Sequence, residues 1–250
     1  MKRINFVLMM IILIVSLSAF QKNEELTFTI KYGFIKAATS VLSIQEDTFR
    51  DSIPVYKITA ESKTNSFFDH LFKVRDYIES IWDRRLRVSR KFSKKLKEGN
   101  YRQYRIHYYS PQHNFSMYMK YRWKKKKFKR KRMEIPDSTQ DMLSALFYLR
   151  MQNFAVGDSI PINVTVDGDS YIAVVDILRK EKIETIFGET ECFVIKPKLK
   201  GEAIFNQKGD IYIWITADEH KIPVRLESKI IFGKFKAILR DAKNVAYKKK

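Results

Sequence analysis

From Leu26 onward the chain alternates between apolar and polar residues. Leu26, Phe28, Ile30, Tyr32 and Phe34 are separated by Thr27, Thr29, Lys31 and Gly33. A period of two puts the apolar side chains on one face of a strand and the polar ones on the other, as in a half-buried antiparallel sheet. Similar runs follow at 40–45, 55–61, 74–82, 104–109 and 115–123. Glu98-Gly99-Asn100 and Ser110-Pro111-Gln112-His113-Asn114 supply turn chemistry between them.

The period changes at Pro136. The stretch Pro136 to Asp141 is rich in helix-start residues, with Ser138 placed to cap and Asp141 placed three positions later to answer it. Met142, Leu143, Leu146, Phe147 and Leu149 then recur at helical spacing, which predicts a helix over Thr139 to Asn153. A second, shorter helical or loop segment is expected at Ser66 to Phe72, where Phe67, Phe68, Leu71 and Phe72 read as core or as the mouth of a cavity. After Val156-Gly157-Asp158 the period of two returns, with runs at 160–166, 171–178, 182–186, 192–199, 201–205, 211–216, 222–232 and 234–241. Reversals this close favour a meander, because parallel neighbours need long crossovers. The expected fold is mainly β: a curved antiparallel sheet of half-barrel, lipoprotein-carrier-like form, with one α-helix packed across its concave face. That likeness to carriers is an analogy of shape and assigns no function by itself.

The first twenty residues follow neither period. Lys2 and Arg3 precede an uncharged run from Phe6 to Leu17, which ends in Ser16, Ser18 and Ala19 before Gln21-Lys22-Asn23. The run is about 12 residues long, short of the roughly 20 a spanning helix needs, and reads as a signal peptide. No cysteine follows it, so an acylated start is not expected. The chain divides into a signal peptide over 1–20, one β-rich domain over 21–247 and a basic tail over 248–250. The mature protein is expected to begin near Ala19 to Gln21 as a soluble, exported, periplasmic or envelope-associated chain without a transmembrane helix. An uncleaved anchor is the alternative.

One cysteine, Cys192, cannot form an internal disulfide, and its apolar strand context marks a buried thiol. The 48 Lys and Arg against 28 Asp and Glu give a formal net charge of +20. The natural partner is a polyanion, and export favours anionic lipid or envelope glycan over nucleic acid. The cations concentrate between Lys120 and Arg132, broken by Tyr121, Trp123 and Phe128. Lys124, Lys125, Lys126, Lys127, Lys129 and Arg130 are the candidate anion contacts; a solvated loop is the plainer reading.

Catalytic signatures are scarce. There is no Gly-x-Ser-x-Gly elbow, phosphate loop or dinucleotide fingerprint. His70, His107, His113 and His220 lack metal-site spacing and are expected at the surface, so no metal or cofactor is expected. Two polar clusters interrupt apolar strands: Arg75, Asp76 and Glu79, and Arg225 with Glu227. These are the candidate ligand-binding residues, as charges inside a curved sheet; a solvent-facing ladder of same-face ion pairs is the alternative.

Several stretches together carry a family resemblance: Tyr32 to Ala37, Ala60 to Phe68 running into Val74-Arg75-Asp76, Gln140 to Leu146, Val156-Gly157-Asp158, and Ile222 to Ser228. They resemble an exported bacterial family catalogued as domain of unknown function 3108. The resemblance covers nearly the whole chain and implies a signal peptide followed by an antiparallel sheet with a helix. It brings no catalytic residues, and the run from Lys124 to Arg132 is more basic than the family pattern.

The expected function is therefore that of a non-catalytic envelope protein holding an amphiphile or lipid in the concave face of its sheet, at a membrane surface. The alternative is a scaffold docking anionic glycan or a partner protein through its basic segment. Less favoured is an enzyme acting on cell-wall material through Asp76 or Glu79.

Overall fold

The computed structural model describes residues 20–199, 210–230 and 233–247. The signal-peptide expectation lies outside these residues apart from Phe20, as do the 201–205 run and the 248–250 tail. The alternating segments become strands, each paired antiparallel with the next in sequence except at β8 and β9, which are not paired with each other. The first eight are β1 (Glu25–Tyr32), β2 (Ile35–Phe49), β3 (Ile53–Thr64), β4 (Arg75–Asp83), β5 (Ser89–Glu98), β6 (Tyr101–Ser110), β7 (Phe115–Arg122) and β8 (Lys127–Glu134). The remaining six are β9 (Ser159–Val166), β10 (Asp169–Thr185), β11 (Gly188–Leu199), β12 (Ile211–Thr216), β13 (Pro223–Ile230) and β14 (Gly233–Lys243). The halves join where β1 pairs with β14, so the first and last of these strands meet mid-sheet, and among the described residues the edges of the 14-stranded sheet are β8 and β9.

The sheet is strongly curved and does not close on itself. Register shifts in β1, β4, β10 and β12 supply local bends. The two edges come round toward each other: Tyr109 Oη lies 2.6 Å from Thr165 Oγ1, and Lys131 Nζ donates to the Gly168 carbonyl at 2.9 Å. The β9–β10 reversal at Asp167-Gly168 has φ of 53° and 98°, and a Cβ at Gly168 would sit 2.6 Å from the Tyr118 ring. Only glycine fits there. Between the edges runs a strap from the β8 end. Gln140 N donates to Asn163 O at 2.8 Å, Thr165 N donates to Gln140 O at 3.0 Å, and Ser89 N donates to Thr139 O at 3.3 Å.

That strap corrects the helix expected over 139–153. The helix, α2, spans only Ser144–Arg150. Thr139 and Gln140 spend backbone groups on β5 and β9 instead, which a longer helix would forbid. Ser138 takes φ 57° in a turn, and Asp141 does the capping: its Oδ1 accepts from Leu143 N and Ser144 N, both at 2.9 Å. Its Oδ2 accepts the Ser80 and Ser89 hydroxyls at 2.5 and 2.7 Å, tying the helix start to β4 and β5. Burial raises the Asp141 carboxyl above its ordinary range, against the pull of these donors.

Phe147 and Leu149 of α2 are buried, each in a different part of the core. Phe147 joins Phe20, Leu26, Ile44, Ile58 and Trp82, and Leu149 joins Ile162, Val164, Ile177, Phe193 and Ile215. The other helix, α1 (Ser66–Phe72), has none of its residues buried. Because a meander returns alternate connections to one end, the β1–β2, β5–β6, β7–β8 and β9–β10 turns share their end of the sheet with α1. The strap and α2 start from the opposite end.

Candidate functional site: an apolar groove beside α2

The inner positions of β9 to β12 are set by the period of two. Ile162, Val164 and Val166 share one face of β9, Tyr171, Ala173 and Val175 one face of β10, and Ile195, Pro197 and Leu199 one face of β11. Ile211 and Ile213 extend this surface on β12, and α2 places Ala145, Leu146 and Leu149 opposite. Between helix and sheet lies an open groove of about 610 Å³, within the range of small-molecule sites. Small side chains at Ala145 and Ala173 leave the space unfilled. The lining is overwhelmingly apolar, so the groove favours hydrocarbon over water.

Charge is confined to the rim. Asp167 meets Arg105 and Lys94, the latter at 3.0 Å, and Asp169 meets Lys131 at 2.8 Å. Burial works against the Asp167 charge, but Arg105 and Lys94 outweigh it and hold the carboxyl below its usual range. Lys198 pairs with Asp176 at 2.7 Å. An acyl chain would meet methyls and methylenes inside, and a polar headgroup would meet charges of both signs outside.

The charged residues singled out in the sequence lie elsewhere, and the structure does not assemble them. Arg75 does not pair with Glu79. Its guanidinium binds Asp69 of α1, with Nη2 to Oδ2 at 2.5 Å, and this contact first, then Thr64, lowers the half-buried Asp69 carboxyl to about 2. Glu79 instead accepts from Lys91 at 3.0 Å and faces Lys57 at 3.8 Å. Asp76 accepts from Lys97 N at 3.0 Å beside Glu98, and burial raises both carboxyls. Asp76 and Glu79 stand three residues apart on one strand, so they project to opposite faces and form no carboxylate pair. Arg225 and Glu227 do make the same-face pair, at 3.0 Å, with Lys236 at 2.9 Å from the same carboxylate. Four strands, β3, β2, β1 and β14, separate that ladder from β4.

The basic run is ordered, where a loop was the plainer expectation. It forms the end of β7, a single helical turn at Trp123–Lys125 and the edge strand β8. Lys124, Lys125, Lys126, Lys127, Lys129 and Arg130 are all exposed. Lysines on an edge strand keep a second sheet from pairing there, which gives part of the run a structural purpose. Histidine also departs from expectation: His107 is 2 % exposed among Phe92, Tyr109 and Tyr118, and burial pushes its pKa down to about 4. Cys192 is fully buried, and its thiol is pushed up to about 12 by burial. Among the described residues no three His, Cys, Asp or Glu gather as a metal site, and no helix is long and apolar enough to cross a membrane.

The groove residues were visible in the sequence only as residues of strands and of one helix. The usable signal was the pair of small residues, Ala145 and Ala173, on otherwise bulky apolar faces, since missing side-chain volume is what leaves a cavity.

A crystal structure of a β-barrel-like protein of domain of unknown function DUF1849 from Brucella abortus shares this fold, with a TM-score of 0.61 at 8% identity over 90% of this chain and 98% of that one. A protein described as a lipoprotein from Parabacteroides distasonis matches at a TM-score of 0.32 and 10% identity, over 90% of this chain and 98% of that one. One described as exported with a YmcC-like fold, from Bacteroides fragilis, matches at 0.32 and 11%, over 90% and 97%. A search of curated proteins finds no match. The sequence pattern of the family described as "protein of unknown function (DUF3108)" matches residues 27–240, and the chain belongs to that family.

Proposed function

We propose that this DUF3108 protein is a non-catalytic binder of an amphiphile in the cell envelope, with the apolar chain of its ligand lying between α2 and β9 to β12. The observation that carries the reading is the open apolar groove of about 610 Å³ with charge only at its rim. A carrier needs that combination: hydrocarbon burial contributes about 0.8 kcal/mol per CH₂, and the rim leaves a headgroup in water. The scattered pairing of Arg75, Asp76, Glu79, Arg225 and Glu227 points away from the cell-wall enzyme weighed above, because each charge is occupied locally.

Titration with a fluorescent fatty acid tests this. Saturable binding at micromolar concentration, one probe per chain and displaceable by unlabelled oleate, is the expected result. Absence of saturable binding rejects the carrier. The scaffold reading then takes its place, supported by the exposed, ordered cations Lys124 to Lys127, and it predicts retention on an anionic glycan column.

A further inference from the structure

The α1 end of the sheet presents apolar side chains to solvent. Phe34, at the tip of the β1–β2 hairpin, is fully exposed, and Phe67 and Leu71, one turn apart on α1, are 66% and 69% exposed. These elements form one continuous tip. Asn65 joins α1 to the hairpin through Nδ2 to Lys36 O at 2.6 Å and N to Ala37 O at 3.1 Å. On the other side Gly99 N donates to Lys73 O at 2.8 Å, and a Cβ at Gly99 would sit 2.8 Å from the Phe72 ring, so the β5–β6 turn is seated against the helix. Large apolar side chains exposed together on linked elements mark a contact site.

Its surroundings say what kind. Lys36, Lys63, Lys73, Lys97 and Arg102 are exposed around the tip and outnumber the acids there, exposed Glu61 and half-buried Asp76 and Glu98, whereas Asp69, the acid of α1 itself, is neutralised by Arg75. Large apolar side chains ringed by cations match the two layers of an anionic bilayer, acyl boundary and charged headgroup. We propose that the α1 end docks this protein on an anionic lipid bilayer, inserting Phe34, Phe67 and Leu71 below the headgroups while the surrounding lysines meet lipid phosphates. The proposal stands apart from the groove reading but is compatible with it: Val166, Asp167 and Leu199, which line the groove, lie at this same end of their strands.

Co-sedimentation with phosphatidylcholine vesicles, with and without phosphatidylglycerol, tests the docking on the full mature chain. Wild type should bind the anionic vesicles, and binding should fall with salt because exposed charges are screened. The variant Phe34→Ser/Phe67→Ser/Leu71→Ser, whose net charge is unchanged, should bind at least about tenfold more weakly with an unaltered Tm, since none of the three is buried. Lys36→Ser/Lys63→Ser/Lys73→Ser should weaken binding and flatten its salt dependence. Wild-type affinity in the apolar variant overturns the proposal. So does a wild-type dimer that the apolar variant converts to monomer in sedimentation, because the tip would then belong to a second copy. Fatty-acid titration of the same apolar variant keeps the two readings separate: an intact groove site beside lost vesicle binding fails neither, and the reverse pattern fails both.

Discussion

Arg150 ends α2 inside the protein, and that placement sets up a large, measurable dependence on one distant carboxylate. Its side chain is 0% exposed and that of Glu24 3%. The guanidinium grips Glu24 with both amino groups, Nη1 to Oε1 at 2.6 Å and Nη2 to Oε2 at 2.9 Å, while Nε donates to His220 O at 3.0 Å. The rings of Phe20 and Phe147 lie beneath it at 5.6 and 5.2 Å. Glu24→Gln keeps the shape and removes the counter-charge, leaving a cation in low dielectric; breaking such a pair costs about 3–5 kcal/mol. Against the roughly 5–15 kcal/mol that holds a domain folded, that is a large fraction. Urea melts followed by tryptophan fluorescence measure it, with the m-value unchanged if the folded state is preserved. The double variant Glu24→Gln/Arg150→Met removes the stranded charge and should be more stable than Glu24→Gln alone. A loss below about 1 kcal/mol for Glu24→Gln would refute the reasoning, since that is the worth of an exposed pair.

Acidification acts through His107. Its folded pKa, near 4, lies below the unfolded value of 6.5, so its contribution is present above pH 6.5 and is lost as pH falls toward 4. Between pH 7 and 5 the wild type should lose about 2 kcal/mol more than His107→Phe, measured as the pH dependence of chemical denaturation. Within α2, Phe147→Ala should cost about 3–5 kcal/mol. Leu146→Ala, half-buried and facing the groove, should cost about 1–2 kcal/mol; equal losses in urea melts would mean that the helix is turned the other way. Phe20 stacks edge-on against Tyr56 and Phe147 at 5.2 and 5.3 Å, so N-terminal sequencing of the mature protein should find a start at or before Phe20, and Phe20→Ala should lower Tm by several degrees.

The strands were legible because one face of each alternates in hydrophobicity, and a meander follows from short reversals. What local pattern cannot register is a contact between distant segments. Gln140 reads as a helix residue by spacing, yet its backbone serves β9, and Asp141 caps from a position that looked like the capped turn. Glu24 and Arg150 are 126 residues apart, and neither shows its partner in the sequence. The charged clusters drew attention because charges on apolar strands are conspicuous, but the sheet lets Arg75 reach Asp69 and Glu79 reach Lys91 locally. The groove, by contrast, is made of residues that look like ordinary core, and it exists because Ala145 and Ala173 do not fill the gap. Likewise the aromatic residues of α1 fit either core or cavity mouth by composition, and only the backbone path turns them to solvent.

The central claim, that the groove beside α2 is the binding site, is tested most directly by filling it. Ala173→Trp puts an indole into the space between β10 and the helix at a position that is only half-buried. Fatty-acid titration of this variant should show binding weakened by at least about tenfold relative to wild type, with Tm unchanged or raised, as expected when a cavity is occupied by the protein's own side chain. Wild-type affinity in Ala173→Trp would contradict the account.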